Sequence, residues 1–343
     1  MTLTKPFASS SASSVKRNMM SSVIVVALVV LSPTHLSAQT TTDSKIPTIS
    51  IDVQVVNVLA SVRDKSGQLV NNLTRDDFVV VEDGEPQEIR YFARQTDLPL
   101  TIGLLVDTSV SQERVIDPQK QAAAQFFEEI LRHDKDLAFL ISFDVDIELL
   151  QDLTNSRKLL NTSLQRLRVQ GSRGGLYPGP VPQSRRPVGT ALFDSVYLAA
   201  QEVLRAQVGR KAVVLISDGN DYGSRIKRKE AIEAAHRADV VVYGIRYLDR
   251  EFYFRAGSSG GGGGATLKKI AKATGGNLFE VKEKMPLRAI FTQIQKELRN
   301  QYSIGYRSNH TPGPPAFRRI ELRTKRKDLT VQARNGYYTT DLR

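Results

Sequence analysis

The chain has 343 residues and a net charge of +12, which at roughly 100–200 residues per domain leaves room for about two domains. Its apolar and charged fractions, 41% and 24%, are those of an ordinary globular protein. Cysteine is absent, which excludes disulfides, thiolate metal sites, a cysteine nucleophile and a cysteine-linked lipid anchor.

Residues 1–39 read as a secretion signal that is removed. Lys5, Lys16 and Arg17 stand without any acid, an apolar core follows over 23–31, and Leu36-Ser-Ala38 precedes Gln39. The apolar core is too short for a permanent membrane span, so no stable transmembrane anchor is expected after cleavage. The protein is therefore expected to be exported, to the periplasm or the outside. Loss of the three leader charges lowers the net charge from +12 to +9. That surplus could suit nucleic acid, an anionic surface or an acidic protein partner, and export argues against nucleic acid. The densest basic run, 318–327, alternates Ile320 and Leu322 with charges, the pattern of an amphipathic strand.

After a polar linker (40–47), Ile49, Ile51, Val53 and Val55 alternate, then Val56, Val58, Ala60 and Val62 continue on the other parity. This predicts one strand kinked by a bulge at Val55-Val56. Glu82-Asp-Gly84 separates Phe78-Val-Val-Val81 from Ile89-Arg-Tyr-Phe92 and predicts a hairpin between them. From residue 98 the pattern changes to alternating strands and helices. Buried strands are predicted over 100–106, 137–143, 211–217 and 240–247, with a shorter one over 277–281. A hairpin partner at 147–150 follows the Asp144-Val-Asp146 turn. Helices are predicted over 118–131 with Asp117 as N-cap, and over 156–167, 191–205, 227–238, 265–273 and 286–300. Beyond 301, Tyr302, Ile304 and Tyr306 alternate and two more strands follow at 320–324 and 329–333. The expected fold is α/β, a doubly wound, mostly parallel Rossmann-like sheet (98–300) inserted between antiparallel β segments (40–97 and 301–343). Neither flank can bury a core alone, so the two are expected to form one small β domain.

In the sheet order 3-2-1-4-5-6, strands one and four lie side by side, and their C-terminal ends face a crevice. The first ends at Asp107-Thr-Ser109-Val-Ser111 and the fourth at Ser217-Asp218-Gly219, while Thr190 opens the helix between them. Two carboxylates and three hydroxyls thus converge. A ligand set of oxygen alone suits a hard cation, Mg²⁺ first, with Mn²⁺ or Ca²⁺ as alternatives.

Asp107-x-Ser109-x-Ser111, Thr190 and Ser217-Asp218-Gly219 resemble the metal-ion-dependent adhesion site of von Willebrand factor type A domains. Ala265-Thr-Leu-Lys-Lys-Ile-Ala-Lys-Ala-Thr-Gly275-Gly276 resembles their fifth helix and following turn. The exported architecture with β flanks is similar to the VWFA-related proteins of acidobacterial genomes. The resemblance spans 98 to about 300. It implies that Ser109 and Ser111 bind the ion directly, that Asp107 and Asp218 act largely through water, and that Thr190 joins when a ligand is engaged. The remaining position would take a carboxylate from a protein partner. Hydroxyl ligands donate no charge, so the ion stays electrophilic, which is capture and not catalysis.

Two other functions compete. A Mg²⁺-dependent phosphohydrolase would use Asp107 as nucleophile, but such enzymes typically carry a second aspartate where Ser109 stands. An envelope scaffold would bind through the β segments and need no metal. Asp144 and Asp146 sit in a predicted hairpin turn, where aspartate is favoured for backbone reasons, and read as structural rather than as a catalytic carboxylate pair; Asn220 and Asp221 fit either the rim of the site or simple turn chemistry. The glycine run 257–264 reads as a connector, lacking the Gly-Lys-Ser/Thr ending of a phosphate loop. The loop 171–187 is expected to form a basic rim, with Arg173, Arg185 and Arg186 beside the ion. His35, His133, His236 and His310 are too scattered for a zinc cluster or a catalytic triad.

Overall fold

The computed structural model describes residues 55–95, 98–169, 189–257, 262–310, 314 and 316–339. The expected leader (1–39), the linker, the strand positions before Val55, the 171–187 loop and part of the glycine run lie outside the described residues.

Before residue 98 the chain forms β1 (Val55–Arg63), β2 (Phe78–Glu82), β3 (Glu85–Gln87) and β4 (Ile89–Gln95). The α/β unit follows with β5 (Leu100–Asp107), α1 (Ile116–Ile130), β6 (Leu137–Phe143), β7 (Ile147–Thr154), α2 (Arg157–Leu164), α3 (Leu192–Leu198) and β8 (Arg210–Ser217). It continues with α4 (Arg228–Arg237), β9 (Val240–Arg246), α5 (Arg250–Arg255), α6 (Gly263–Thr274), β10 (Leu278–Glu280) and α7 (Leu287–Arg299). The chain closes on β11 (Gln301–Arg307), β12 (Phe317–Thr324), β13 (Thr330–Ala333) and β14 (Gly336–Tyr338).

The central sheet runs β10-β9-β8-β5-β6-β7, parallel throughout except for the edge strand β7. Every residue of β5 is buried, because helices cover both faces. Leu100, Ile102, Leu104 and Val106 pack with Phe126, Phe127 and Ile130 of α1 and Ile290, Phe291 and Ile294 of α7. Leu105, of opposite parity, packs with Leu192 and Val196 of α3, Ala231 and Ala234 of α4, and Leu267 and Ile270 of α6. Gly103 is required by its neighbour, since a Cβ there would lie 2.2 Å from the Phe139 ring.

The remaining strands form two antiparallel four-stranded sheets, β13-β1-β11-β4 and β14-β12-β2-β3, each drawing strands from both sides of the α/β unit. Their common core holds Val56, Val58, Ala60 and Val62 of β1, Phe78 and Val80 of β2, Tyr302, Ile304 and Tyr306 of β11, and Ile320 and Leu322 of β12. Because β11 sits between β1 and β4, removal of 301–343 strips a hydrogen-bonded partner from both. That truncation is expected to make 55–95 protease-sensitive. Protection of 55–95 equal to that in the full chain in limited proteolysis would show that the flanks fold separately.

Arginines and one glutamate tie these sheets to the α/β unit. Arg210, with 1% exposure, donates through Nη2 to Leu98 O (3.0 Å) and through Nη1 to Leu298 O, the two points where the chain enters and leaves the unit. Arg63 of β1 pairs with the buried Glu297 of α7, which also accepts from Gln332 Nε2 of β13 (3.3 Å).

Four expectations are corrected. The hairpin partner of β2 is the short β3, turned at Asp83 (φ 48°) and Gly84, whereas Ile89–Gln95 crosses to the other sheet and pairs with β11. The described register of β1 is unbroken at Val55-Val56. The irregularity lies instead between β11 and β4, where Gly305 pairs with Tyr91 and Tyr306 with Ile89, passing over Arg90. Asp117 lies inside the first turn of α1 rather than capping it, where it pairs with Lys120 (3.0 Å). The helix expected over 191–205 changes at Ala199 into a π-helical turn (Ala199–Leu204).

Candidate metal centre

The register of the central sheet sets the site. Val106 of β5 pairs with Ile216 of β8, so the next residues, Asp107 and Ser217, the last of their strands, end side by side at the sheet's C-terminal edge. Ser217 Oγ donates to Asp107 Oδ2 at 2.6 Å and accepts from Gly219 N at 2.9 Å, joining the two strand ends. Gly219 adopts φ 89°, and a Cβ there would meet Gly263 O at 2.2 Å, so only glycine permits this turn against α6.

Asp107 Oδ1 accepts from Ser109 N at 2.9 Å. Ser109 Oγ lies 3.1 Å from Ser111 Oγ, and Ser111 Oγ donates to Asp218 Oδ2 at 2.6 Å. Asp218 Oδ1 accepts from Asn220 N at 2.9 Å. Asp107, Ser109, Ser111 and Asp218 are therefore joined in one hydrogen-bonded run through the Ser109 amide and the two serine hydroxyls. Thr190 is buried and its backbone is fixed to Tyr222 in both directions, N to O at 3.3 Å and O to N at 3.1 Å. Its hydroxyl makes no described hydrogen bond to the other four. Asp221 sets that segment in place, since its Oδ1 accepts from Leu192 N (3.0 Å) and Phe193 N (3.3 Å) at the start of α3.

Asp107 is fully buried and Asp218 nearly so. Burial first, and then repulsion from Asp218, push the Asp107 carboxyl up to about 7, against the hydrogen bonds from Ser109 and Ser217. Two buried carboxylates that repel one another favour a proton or a cation between them. Among the described residues no group of three or more histidines, aspartates and glutamates could hold a metal, so the neutral hydroxyls would have to complete any ligand set. The Ser109 and Ser111 hydroxyls beside the Asp107 and Asp218 carboxylates are oxygen donors of the kind a hard divalent ion takes.

Three contributors were not evident from the sequence. Ser217 is read there as the end of a strand, inside the resembling Ser217-Asp218-Gly219 stretch, without a role of its own. Gln112, fully buried, bonds Tyr247 O and Gln119 (3.0 Å) and so braces the Ser111 turn. Tyr253 of α5 donates its phenol proton to Asp218 Oδ2 at 2.6 Å and accepts from Asn220 Nδ2 at 2.8 Å. Burial, and then the bond to Asp218, raise the phenol pKa well above its ordinary value. Asn220 thus stands at the rim of the site, whereas Asp144 is a turn residue whose Oδ1 accepts from Asp146 N at 2.9 Å.

No family model matches this sequence, and none of the curated proteins compared with it does. Solved structures with similar regions include BatB, a conserved hypothetical protein of Bacteroides thetaiotaomicron, at 17% identity over 59% of this chain and 100% of that one, TM-score 0.41. Another is proximal thread matrix protein 1 of the mussel byssus with a zinc-occupied MIDAS motif, at 15% identity over 64% of this chain and 50% of that one, TM-score 0.45. A third is the VWA domain of SpRpn10, at 13% identity over 57% of this chain and 95% of that one, TM-score 0.37.

Proposed function

We propose that this chain is an exported, non-enzymatic protein-binding module of the von Willebrand A type. Asp107, Ser109, Ser111, Thr190 and Asp218 hold Mg²⁺ and, through it, an acidic side chain of a protein partner. The observation that carries the reading is the continuous hydrogen-bonded run from Ser217 through Asp107, Ser109 and Ser111 to Asp218, with both carboxylates buried. When bound, the ion supplies an electrophilic centre with a position open to a carboxylate. Ser109 and Ser111 leave its charge undiminished, Asp107 and Asp218 balance it, and Asn220 and Gln112 hold the turns.

Export follows from the leader over 1–39, and the domain division proposed with it is 40–97 and 301–343 as one β domain around 98–300. Among the described residues no helix is long and apolar enough to cross a membrane. Nucleic acid is not the proposed partner. Calorimetric titration of the full chain with Mg²⁺ is expected to show weak binding that Asp218→Ala abolishes with the circular dichroism unchanged. Equal affinity in the variant would refute the site. Capture of acidic peptides in Mg²⁺ and its loss in EDTA then tests the ligand, and capture unaffected by EDTA would favour a metal-independent scaffold.

A further inference from the structure

We infer that α5 is a lid over the metal centre and that Tyr253 is its latch, holding the Asp218 oxygen that faces Ser111 until an ion takes its place. The inference rests on the metal-binding reading above and concerns the regulation of that site.

A carboxylate oxygen offers two lone pairs in its plane. Asp218 Oδ2 uses one for Ser111 Oγ and the other for the Tyr253 hydroxyl, both at 2.6 Å, while Oδ1 is engaged by Asn220 N at 2.9 Å. The oxygen turned towards the hydroxyl cluster is therefore saturated while the latch is closed. Ser111 can keep its place and rotate its proton away, offering a lone pair to a cation. The phenol proton has no such freedom, because Asn220 Nδ2 donates to the same oxygen from 2.8 Å and the ring is carried on a helix. An ion drawing on Asp218 Oδ2 must displace Tyr253.

The helix itself is pinned at the site. Asp249 Oδ1 accepts from Glu251 N (3.0 Å) and Phe252 N (3.1 Å), capping α5 at its start. Glu251 pairs with Arg114, three residues past Ser111. The chain comes back to the same loop at Gly263, where a Cβ would lie 2.2 Å from Asp218 O. The six-residue α5 buries none of its residues, so little beyond these polar contacts keeps it down.

Tyr253→Phe removes the hydroxyl and keeps the ring. In the metal-free full chain it is expected to speed amide exchange over Glu251–Arg255, and to raise Mg²⁺ affinity in calorimetry about tenfold, the worth of one hydrogen bond to a carboxylate. In the wild type, Mg²⁺ is expected to speed exchange in the same amides. Glu251→Gln loosens the lid without touching Asp218 and is expected to raise Mg²⁺ affinity roughly twofold, as befits an exposed ion pair. Mg²⁺ affinity in Tyr253→Phe equal to or below wild type would overturn the latch and make the phenol an orienting group for Asp218. If that occurs while Asp218→Ala still abolishes binding, the metal site stands and only the lid fails. If the wild type binds no Mg²⁺, both fall.

Discussion

Replacing Asp136 by alanine is expected to lower the folding stability by about 3–5 kcal/mol at pH 7, the range for stripping one partner from a buried ion pair. The carboxylate is fully buried at the base of the central sheet, where it receives Leu100 N (2.9 Å) at the start of β5, Arg132 N (2.9 Å), Arg132 Nε (3.0 Å) at the end of α1, and Arg299 at the end of α7. Burial alone would raise its pKa. The hydrogen bonds from the two guanidiniums and two amides outweigh burial and hold it far below the usual carboxylate range. The sign follows directly: the folded pKa lies below the unfolded one, so the contribution is complete above about pH 4 and disappears as pH falls through the folded value. Urea midpoints of wild type and Asp136→Ala should differ widely at pH 7 and converge in acid. A loss under 1 kcal/mol at pH 7 would mean that Arg132 and Arg299 find other partners.

Strands β5, β8 and β9 were legible because burial on both faces demands an uninterrupted apolar run, and few other structures do. The juxtaposition of Asp107, Ser109, Ser111 and Asp218 follows from the same runs, since a strand that stops at a carboxylate leaves it at the sheet edge. What sequence spacing could not give is the identity of long-range partners. The bonds Ser217–Asp107 and Tyr253–Asp218 join residues 110 and 35 apart, and nothing local announces them. Helix α5 escaped because Arg-Glu-Phe-Tyr-Phe-Arg is too short for a 3.6-residue stripe. Its cues are the Asp249 cap and the Glu251–Arg255 pair four residues apart (2.5 Å). The assignment of Ile89–Gln95 to the wrong strand has a similar cause. Alternation shows that a strand has one apolar face but not which of two sheets receives it, and here Glu85–Gln87 takes the edge of β2 while the chain turns the corner.

The metal-free protein is expected to lose stability as pH rises from about 4 to about 7, and Mg²⁺ to restore it at the upper end. Asp107 is the main source, and Asp144 and Glu297, whose carboxyls burial also raises, work in the same direction. Burial, and then the Asp218 charge, hold its folded pKa at about 7, whereas the unfolded carboxyl titrates near 3.8. Between those values the folded state keeps a proton that the unfolded state has released, so unfolding becomes easier with each step up in pH. A displacement of that size corresponds to about 4 kcal/mol across the window, at 1.36 kcal/mol for each unit. A divalent ion beside the two carboxylates offsets the repulsion from Asp218 and outweighs the burial penalty on the Asp107 charge, so the loss should vanish at saturating Mg²⁺. Unfolding in EDTA and in Mg²⁺ from pH 4 to 8 gives both curves. His236, which burial holds below its ordinary pKa, works in the opposite direction, so the informative quantity is the difference between wild type and Asp107→Asn. That variant should flatten the Asp107 part of the slope in EDTA and lose the Mg²⁺ effect. A wild-type and variant pair with the same pH slope in EDTA would place the charge conflict elsewhere in the fold.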